Sequence, residues 1–197
     1  MADDVVRGFK LRTDLMGYNP SIRKYFVPAG DGTALFPGDL CKISGEMDAS
    51  GYPAVIQAAA ADACVGVVMG VDKITGISDA NLNLYVKHRP ASTAMYVWVC
   101  DDPNAIYEAQ EDSAGGNIAL TDAQKNVDFV VAAGSTTFGL SGMEIDSSTV
   151  ATTAALPLKL ISGAKRPGEA IPGANSKFLV KINNHQYGSH TGTVGVA

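Results

Sequence analysis

Short apolar runs rich in β-branched and aromatic residues dominate the chain from Val27 onward. Glycine, proline, asparagine and aspartate separate these runs, which is typical of strands joined by turns in an antiparallel sheet. We predict strands at residues 34–43, 54–57, 64–71, 82–86, 94–100, 105–109, 127–132, 143–145, 156–161 and 177–182. The pattern therefore predicts a mainly β protein, an antiparallel β-barrel or sandwich that includes the jelly roll among its forms.

Two of these runs also predict which side chains are buried, because successive side chains of a strand point to opposite faces of its sheet. In residues 177–182 the apolar side chains Phe178, Val180 and Ile182 share one face, which we expect to point inward, and the lysines share the other. In residues 95–100 both faces are apolar. That strand is either central and covered on both sides, or covered by a partner subunit.

Residues 1–28 lack a clean periodicity and contain a turn-like sequence at residues 17–21, so we predict an extended N-terminal arm. The β-rich domain then spans residues 29–197, or divides into two β-subdomains near 29–90 and 91–197. We find no repeat at a fixed period.

Composition excludes several classes of function. A net charge of −5 and a pI near 5.1 count against nucleic-acid binding, which normally requires a basic face. The longest uncharged stretch, near residues 63–71, is about half the length of a membrane-spanning helix, so we predict no membrane segment. The acidic N-terminus does not resemble a signal peptide, and the three scattered cysteines predict reduced thiols in a product made in the cytoplasm.

Charge is distributed unevenly along the chain. Residues 7–24 carry five basic side chains, whereas residues 101–124 carry six acidic ones and neither lysine nor arginine. Complementary segments select partners, so we hypothesise that the arm of one subunit crosses the acidic region of a neighbour or of an underlying assembly. The alternative is a disordered terminus beside an unrelated solvated face. The predicted interface residues are Arg7, Lys10, Arg12, Arg23, Lys24, Trp98, Asp101, Asp102, Glu108, Glu111 and Asp112.

Each pattern that would indicate a reaction fails at a named position. The sequence around Ser141 has Met143 where a nucleophile elbow requires glycine. The cysteines and histidines lack zinc-site spacing, and the acidic stretch after Trp98 does not match an EF-hand loop. No phosphate-binding glycine motif is complete. We therefore predict a non-enzymatic protein with no catalytic residue, no cofactor and no metal site.

Several segments resemble tailed-phage capsid decoration proteins, also called cement proteins, and related head structural proteins. They are residues 97–105 (Val-Trp-Val-Cys-Asp-Asp-Pro-Asn-Ala), 108–112, 134–148 and 156–160, so that the resemblance spans about residues 94–162. Residues 32–40 and 65–68 are similar in pattern to the small β-barrels of cement proteins.

This resemblance implies a virion protein that is made in the host cytoplasm and binds the outer surface of an icosahedral capsid. Its partners would be the major capsid protein and itself, as a trimer or, less favoured, a dimer. The alternatives are another virion component, such as a major capsid, tail or fibre-attachment protein, or a β-barrel ligand-binding module with Trp98 and tyrosines in its pocket.

Overall fold

The computed structural model describes residues 5–15, 17, 19–74, 85–164, 171–188, 191–193 and 195. Within these ranges the strands are β1 (Lys10–Asp14), β2 (Ile22–Val27), β3 (Leu40–Met47), β4 (Pro53–Gln57), β5 (Gly66–Ile74), β6 (Met95–Cys100), β7 (Ala105–Gln110), β8 (Asn126–Val130), β9 (Glu144–Ala151), β10 (Leu158–Gly163) and β11 (Lys177–Ile182). A single turn of 3₁₀ helix, Leu120–Asp122, precedes β8. The predicted mainly β class is confirmed.

The first half of the chain forms a closed barrel with the strand order β2-β4-β3-β5-β6. β2 runs antiparallel to β6 along its whole length and is parallel to β4 at one pair, Phe26 and Ala54. The buried side chains that fill the barrel are Tyr25, Val27, Leu35, Cys41, Val55, Val65, Val68, Val97 and Val99. Because most of them are β-branched or aromatic, they suit the pleated inner surface of a small barrel.

β1 and the strands of the second half form a six-stranded sheet with the order β1-β7-β11-β10-β8-β9. A parallel bridge between Glu111 and Ile145 joins the end of β7 to β9, so the sheet curls toward closure. Leu40, Val67 and Cys100 of the barrel belong to the same buried cluster as the side chains of this sheet. The two sheets therefore pack on one shared core.

The two halves have the same topology. If β2–β6 are numbered one to five, and β7–β11 likewise, both halves have the strand order one-three-two-four-five. In both halves strand five also lies beside strand one. In both halves strands one and three are parallel and the other neighbours are antiparallel. This equivalence lies in strand order, because the sequence has no repeat at a fixed period.

The arm predicted for residues 1–28 is corrected over two stretches. β1 pairs with β7 and β2 closes the barrel, so both belong to the sheets. Their ends are anchored by burial, since Phe9 is 2% exposed and Val27 is fully buried. The adjacent charged residues Arg23 and Lys24 made β2 look like a solvated segment. Residues 1–4, 16 and 18 lie outside the described residues.

Two further expectations concern strand faces. In β11, Phe178, Val180 and Ile182 are buried, as predicted. In β6, Met95, Val97 and Val99 point into the barrel, whereas Trp98 lies exposed on its outer face. On this outer face Cys100 is buried in the shared core and Tyr96 is half-buried, so the described chain leaves the face open at Trp98.

The structure also bears on the predicted strand 82–86, the cysteines and the expected absence of a membrane segment. Tyr85 and Val86 are not in a strand, and the rest of the predicted strand 82–86 lies outside the described residues. The three cysteines are buried free thiols, and burial raises the pKa of each. In the part of the chain that the structure describes, no helix has the length and apolar character needed to cross a membrane.

Candidate interaction surface

Three aromatic rings surround the ammonium group of Lys24 on the outer face of the barrel. The Lys24 Nζ lies 4.4 Å from the ring centroid of Tyr96, 5.7 Å from that of Tyr52 and 5.8 Å from that of Trp98. These are cation–π distances. We call Lys24, Tyr52, Tyr96 and Trp98 the aromatic surface.

Strand geometry positions this aromatic surface. Tyr96 and Trp98 are two residues apart on β6 and so share its outer face. β2 places Lys24 directly opposite Trp98. Tyr52 precedes β4 and packs edge-on against Tyr96, with ring centroids 5.3 Å apart. The backbone of a closed barrel therefore fixes most of the surface before any partner binds.

Two carboxylates hold the polar atoms of the aromatic surface. The Lys24 Nζ lies 2.6 Å from Asp72 Oδ2. The Tyr96 hydroxyl donates a hydrogen bond to Asp48, and this bond lowers the pKa of Asp48 and raises the pKa of Tyr96. These contacts orient the lysine and one ring in the unbound chain, which reduces the entropy lost on binding.

The barrel also exposes apolar side chains. Trp98 of the aromatic surface is 41% exposed, Ile22 on β2 is 46% exposed, and Met47 at the end of β3 is 72% exposed. Tryptophan, tyrosine and methionine are enriched in protein interfaces relative to the rest of the protein surface. This group of residues is therefore the candidate interaction surface.

The predicted basic residues divide into exposed and paired groups. Arg7 and Lys10 are exposed. Arg12 donates from Nε to Glu108 Oε2 at 2.8 Å, with a second contact from its terminal nitrogen. The Nε of Arg23 lies 3.4 Å from Asp101 Oδ2.

The predicted acidic residues make their contacts inside the chain. Asp101 is 3% exposed and accepts a hydrogen bond from the Tyr25 hydroxyl at 2.7 Å. Glu111 is fully buried and accepts from the Ile118 amide at 2.8 Å. Glu108 is 5% exposed and holds Arg12.

The two remaining acidic residues accept backbone hydrogen bonds. Asp102 accepts from the Asn104 amide at 2.8 Å within a turn, and Asp112 accepts from the Ser147 amide and hydroxyl of β9 at 3.0 and 2.8 Å. The structure thus brings the basic segment onto the acidic segment within one chain, at Arg12 and Arg23. These two arginines therefore already have acidic partners within the chain, and the crossing between subunits stays a prediction. Lys24 and Trp98 lie opposite each other on the outer face of the barrel.

Sequence reasoning missed Tyr52 and Tyr96 as members of this surface, and Asp72 as the partner of Lys24. Tyr96 alternates with buried residues in an apolar run, and that signal was available. Tyr52 and Asp72 reach the surface through barrel closure, which the local pattern of residues does not encode.

His185 was dismissed as a metal ligand, and the structure buries it in the second half of the chain. It is 1% exposed, and its Nδ1 accepts a hydrogen bond from the Tyr187 amide at 3.1 Å. Burial lowers the pKa of His185 to about 4, because the charged ring would lose its hydration. No group of three or more potential ligands that could hold a metal ion occurs among the described residues.

We expect acid to destabilise the fold through His185. Because the pKa of the unfolded residue is about 6.5, the unfolded chain binds the proton more tightly than the folded chain between about pH 6.5 and 4. Stability from the neutral ring is fully present above that window and is lost as pH falls through it. Between pH 7 and 5 the loss is about 2 kcal/mol, measured by urea unfolding.

The variant His185→Gln isolates this contribution. It should remove most of the loss between pH 7 and 5, whatever its absolute stability. Burial raises the pKa values of the carboxyls Asp39, Glu111 and Asp128, so the folded chain binds these protons more tightly than the unfolded chain. Acid therefore stabilises the fold through these carboxyls, which is opposite to its effect through His185. An unchanged pH dependence in the variant would contradict the assignment to His185.

Ser141 lies away from the aromatic surface and is 2% exposed. Its hydroxyl accepts a hydrogen bond from the Met143 amide at 3.0 Å, as expected of a serine that holds a turn.

The chain matches no protein-family model, and no curated protein and no solved structure is significantly similar to it.

Proposed function

We propose that this chain is a non-enzymatic virion structural protein that binds the outer surface of an icosahedral capsid and cements neighbouring capsomers. The observation that carries the proposal is the exposure of Trp98 on the outer face of a closed barrel, within the aromatic surface. Supporting it is the resemblance of residues 94–162 to tailed-phage decoration proteins.

The chemistry of the surface suits binding to a protein. Trp98 and the two tyrosines offer large areas that lose little conformational entropy on binding, and Lys24 adds a charge already held by Asp72. Alanine scans of interfaces place the largest losses at such aromatic anchors.

Binding to a capsid requires only modest affinity at each site. A decoration protein occupies many equivalent positions on a lattice, and a self-associated form engages several of them together. Whatever binds the assembled lattice and not the free subunits stabilises the lattice by mass action. We propose that the chain acts as a homotrimer, with a dimer as the other symmetric possibility.

The test is a co-sedimentation assay with heads assembled from the major capsid protein encoded in the same genome. We expect the wild-type chain to sediment with the heads and to raise their melting temperature. Trp98→Ala should weaken this binding at least about ten-fold, because a central aromatic anchor contributes 2 kcal/mol or more. Light scattering of the free protein gives its subunit count.

The matched control is Phe138→Ala, which removes another exposed aromatic ring, 72% exposed, from the second half of the chain. It should bind as the wild type does. A wild-type chain that ignores the heads overturns the proposal. Equal binding by the wild type and Trp98→Ala removes the aromatic surface from it.

A further inference from the structure

Two lysines face each other across neighbouring strands of the second half. Lys159 on β10 lies directly opposite Lys181 on β11, and both residues are half-buried. Like charges directly opposite each other on antiparallel strands destabilise the sheet, because their Cβ atoms are only about 5 Å apart. Burial and, second, the charge of Lys181 lower the pKa of Lys159. The pair is therefore a cost to the fold that a bound anion would offset.

The contacts of the two ammonium groups with the described chain are long. The Lys181 Nζ lies 3.4 Å from Asn104 Oδ1, and the Lys159 Nζ lies 3.4 Å from the carbonyl oxygen of Gln124. Both acceptors are neutral, and both distances exceed the usual N–H···O distance of about 3.0 Å. Among the described residues no carboxylate forms a salt bridge with Lys181.

A cavity of about 110 Å³ is lined by both lysines. The rest of its lining comes from Pro103, Ile182, Asn183, His185 and Thr193. None of these described residues carries a carboxylate. A space of this size holds a few water molecules or one small oxyanion.

Hydrogen bonds fix one wall of the cavity. Asn183 Oδ1 accepts from both the amide and the hydroxyl of Thr193 at 2.9 Å. Its Nδ2 donates to the carbonyls of Ala154 at 3.2 Å and Leu156 at 3.0 Å. The wall is therefore ordered before any ligand binds, which reduces the entropy lost on binding.

His185 brings a third donor to the cavity. Its Nδ1 accepts from the Tyr187 amide at 3.1 Å, so Nε2 carries the proton of the neutral ring. This Nε2 is buried and has no hydrogen-bond partner in the described chain. Burial is the main influence on the pKa of His185, and the Val65 carbonyl opposes it without reaching hydrogen-bonding geometry with Nε2. A buried donor without a partner costs free energy, which an oxygen of a ligand would recover.

The acidic groups near His185 leave the local charge positive. Those whose charge reaches its ring are Asp101 and Asp102. Arg23 lies 3.4 Å from Asp101 and balances its charge. Asp102 accepts from the Asn104 amide. One carboxylate is thus set against the two lysines of the cavity.

We propose that the cavity lined by Lys159 and Lys181 binds a small tetrahedral oxyanion of the class of inorganic phosphate or sulfate. Each ammonium group would donate a hydrogen bond to the ion, and His185 Nε2 would donate a third. A net charge of −5 counts against a large polyanion, so the ligand is a free ion. The cavity shares no residue with the aromatic surface, and binding of the ion does not depend on the capsid proposal.

The first test is titration of the full chain with inorganic phosphate, measured by calorimetry and by thermal unfolding. We expect saturable binding and a melting temperature that rises with phosphate concentration but not with chloride at the same ionic strength. Lys181→Gln should weaken phosphate binding at least about ten-fold, because it removes a charge-assisted hydrogen bond. The matched control is Lys10→Gln, which changes an exposed lysine on β1 of the same sheet and should bind as the wild type does.

The second test locates the ion by NMR of the histidine side chains. Phosphate should shift the Nε2 signal of His185. The signals of His88, which stacks on Phe36 with ring centroids 4.7 Å apart, should stay in place. Phosphate binding that leaves His185 unshifted would put the ion elsewhere and overturn the proposal.

A stability measurement separates loss of the site from loss of the fold. Without phosphate, Lys181→Gln should melt no lower than the wild type, because it removes the pair of like charges. Lys159→Gln repeats the test from the other strand if the first variant does not fold. Equal phosphate affinity of the wild type and the folded variant, or a wild-type response to phosphate no larger than to chloride, would overturn the proposal.

Discussion

Alanine in place of Gly66 is expected to abolish stable folding, at a cost above about 4 kcal/mol. A Cβ atom at this position of β5 would lie 2.0 Å from the carbonyl oxygen of Cys100 and 2.9 Å from Val99 Cγ1. Both atoms belong to β6, whose backbone is held by two neighbouring strands of a closed barrel. The clash therefore cannot be relieved by turning a flexible side chain.

The matched control for this substitution lies four residues along the same strand. A Cβ atom at Gly70 would meet no atom within 4 Å, and Gly70 has no positive φ. Gly70→Ala should be neutral or stabilise the fold by about 0.5 kcal/mol, because alanine restricts the unfolded chain. Circular dichroism during urea unfolding measures both variants. Equal stability of the two would contradict the close approach of β5 and β6.

Methionine in place of Arg89 is expected to cost about 3 to 5 kcal/mol. The Arg89 side chain is fully buried, and its guanidinium donates to the carbonyls of Thr93 at 2.7 Å, Pro28 at 2.6 Å and Asp31 at 2.9 Å, and also to Thr33. Methionine fills a similar volume but leaves these buried acceptors without donors.

Two comparison variants separate hydrogen bonding from charge. Arg89→Lys keeps the charge but cannot reproduce the planar fork of donors, so we expect an intermediate loss of stability. Lys10→Met changes an exposed cation and should alter the free energy of unfolding by less than about 0.5 kcal/mol. A loss for Arg89→Met no larger than for Lys10→Met would contradict the buried network.

Local patterns in the sequence predict much of this fold. Nine of the ten strands predicted from apolar runs correspond to β3–β11, with boundaries up to six residues apart, because period-2 burial is a local property. β1 and β2 were missed for a physical reason. Lysine and arginine interrupt their apolar positions, and only pairing with strands distant in the chain, β7 and β6, makes them regular.

The candidate site was predicted less completely. Trp98 and Lys24 were named from composition and charge, and both are in the aromatic surface. Burial separated the acidic candidates from it, since Glu111 is fully buried and Asp101 is 3% exposed. A count of charges cannot distinguish a solvated carboxylate from one that holds a turn.

The pairing of β1 with β7 has a consequence for the order of folding. β1 precedes the barrel in the sequence but belongs to the second sheet, with Arg12 and Glu108 separated by 96 residues. During synthesis β1 and the barrel strands emerge before β7, so the barrel can close while β1 has no partner. Long-range pairing of this kind is slow, so the N-terminal strand should be among the last elements to dock.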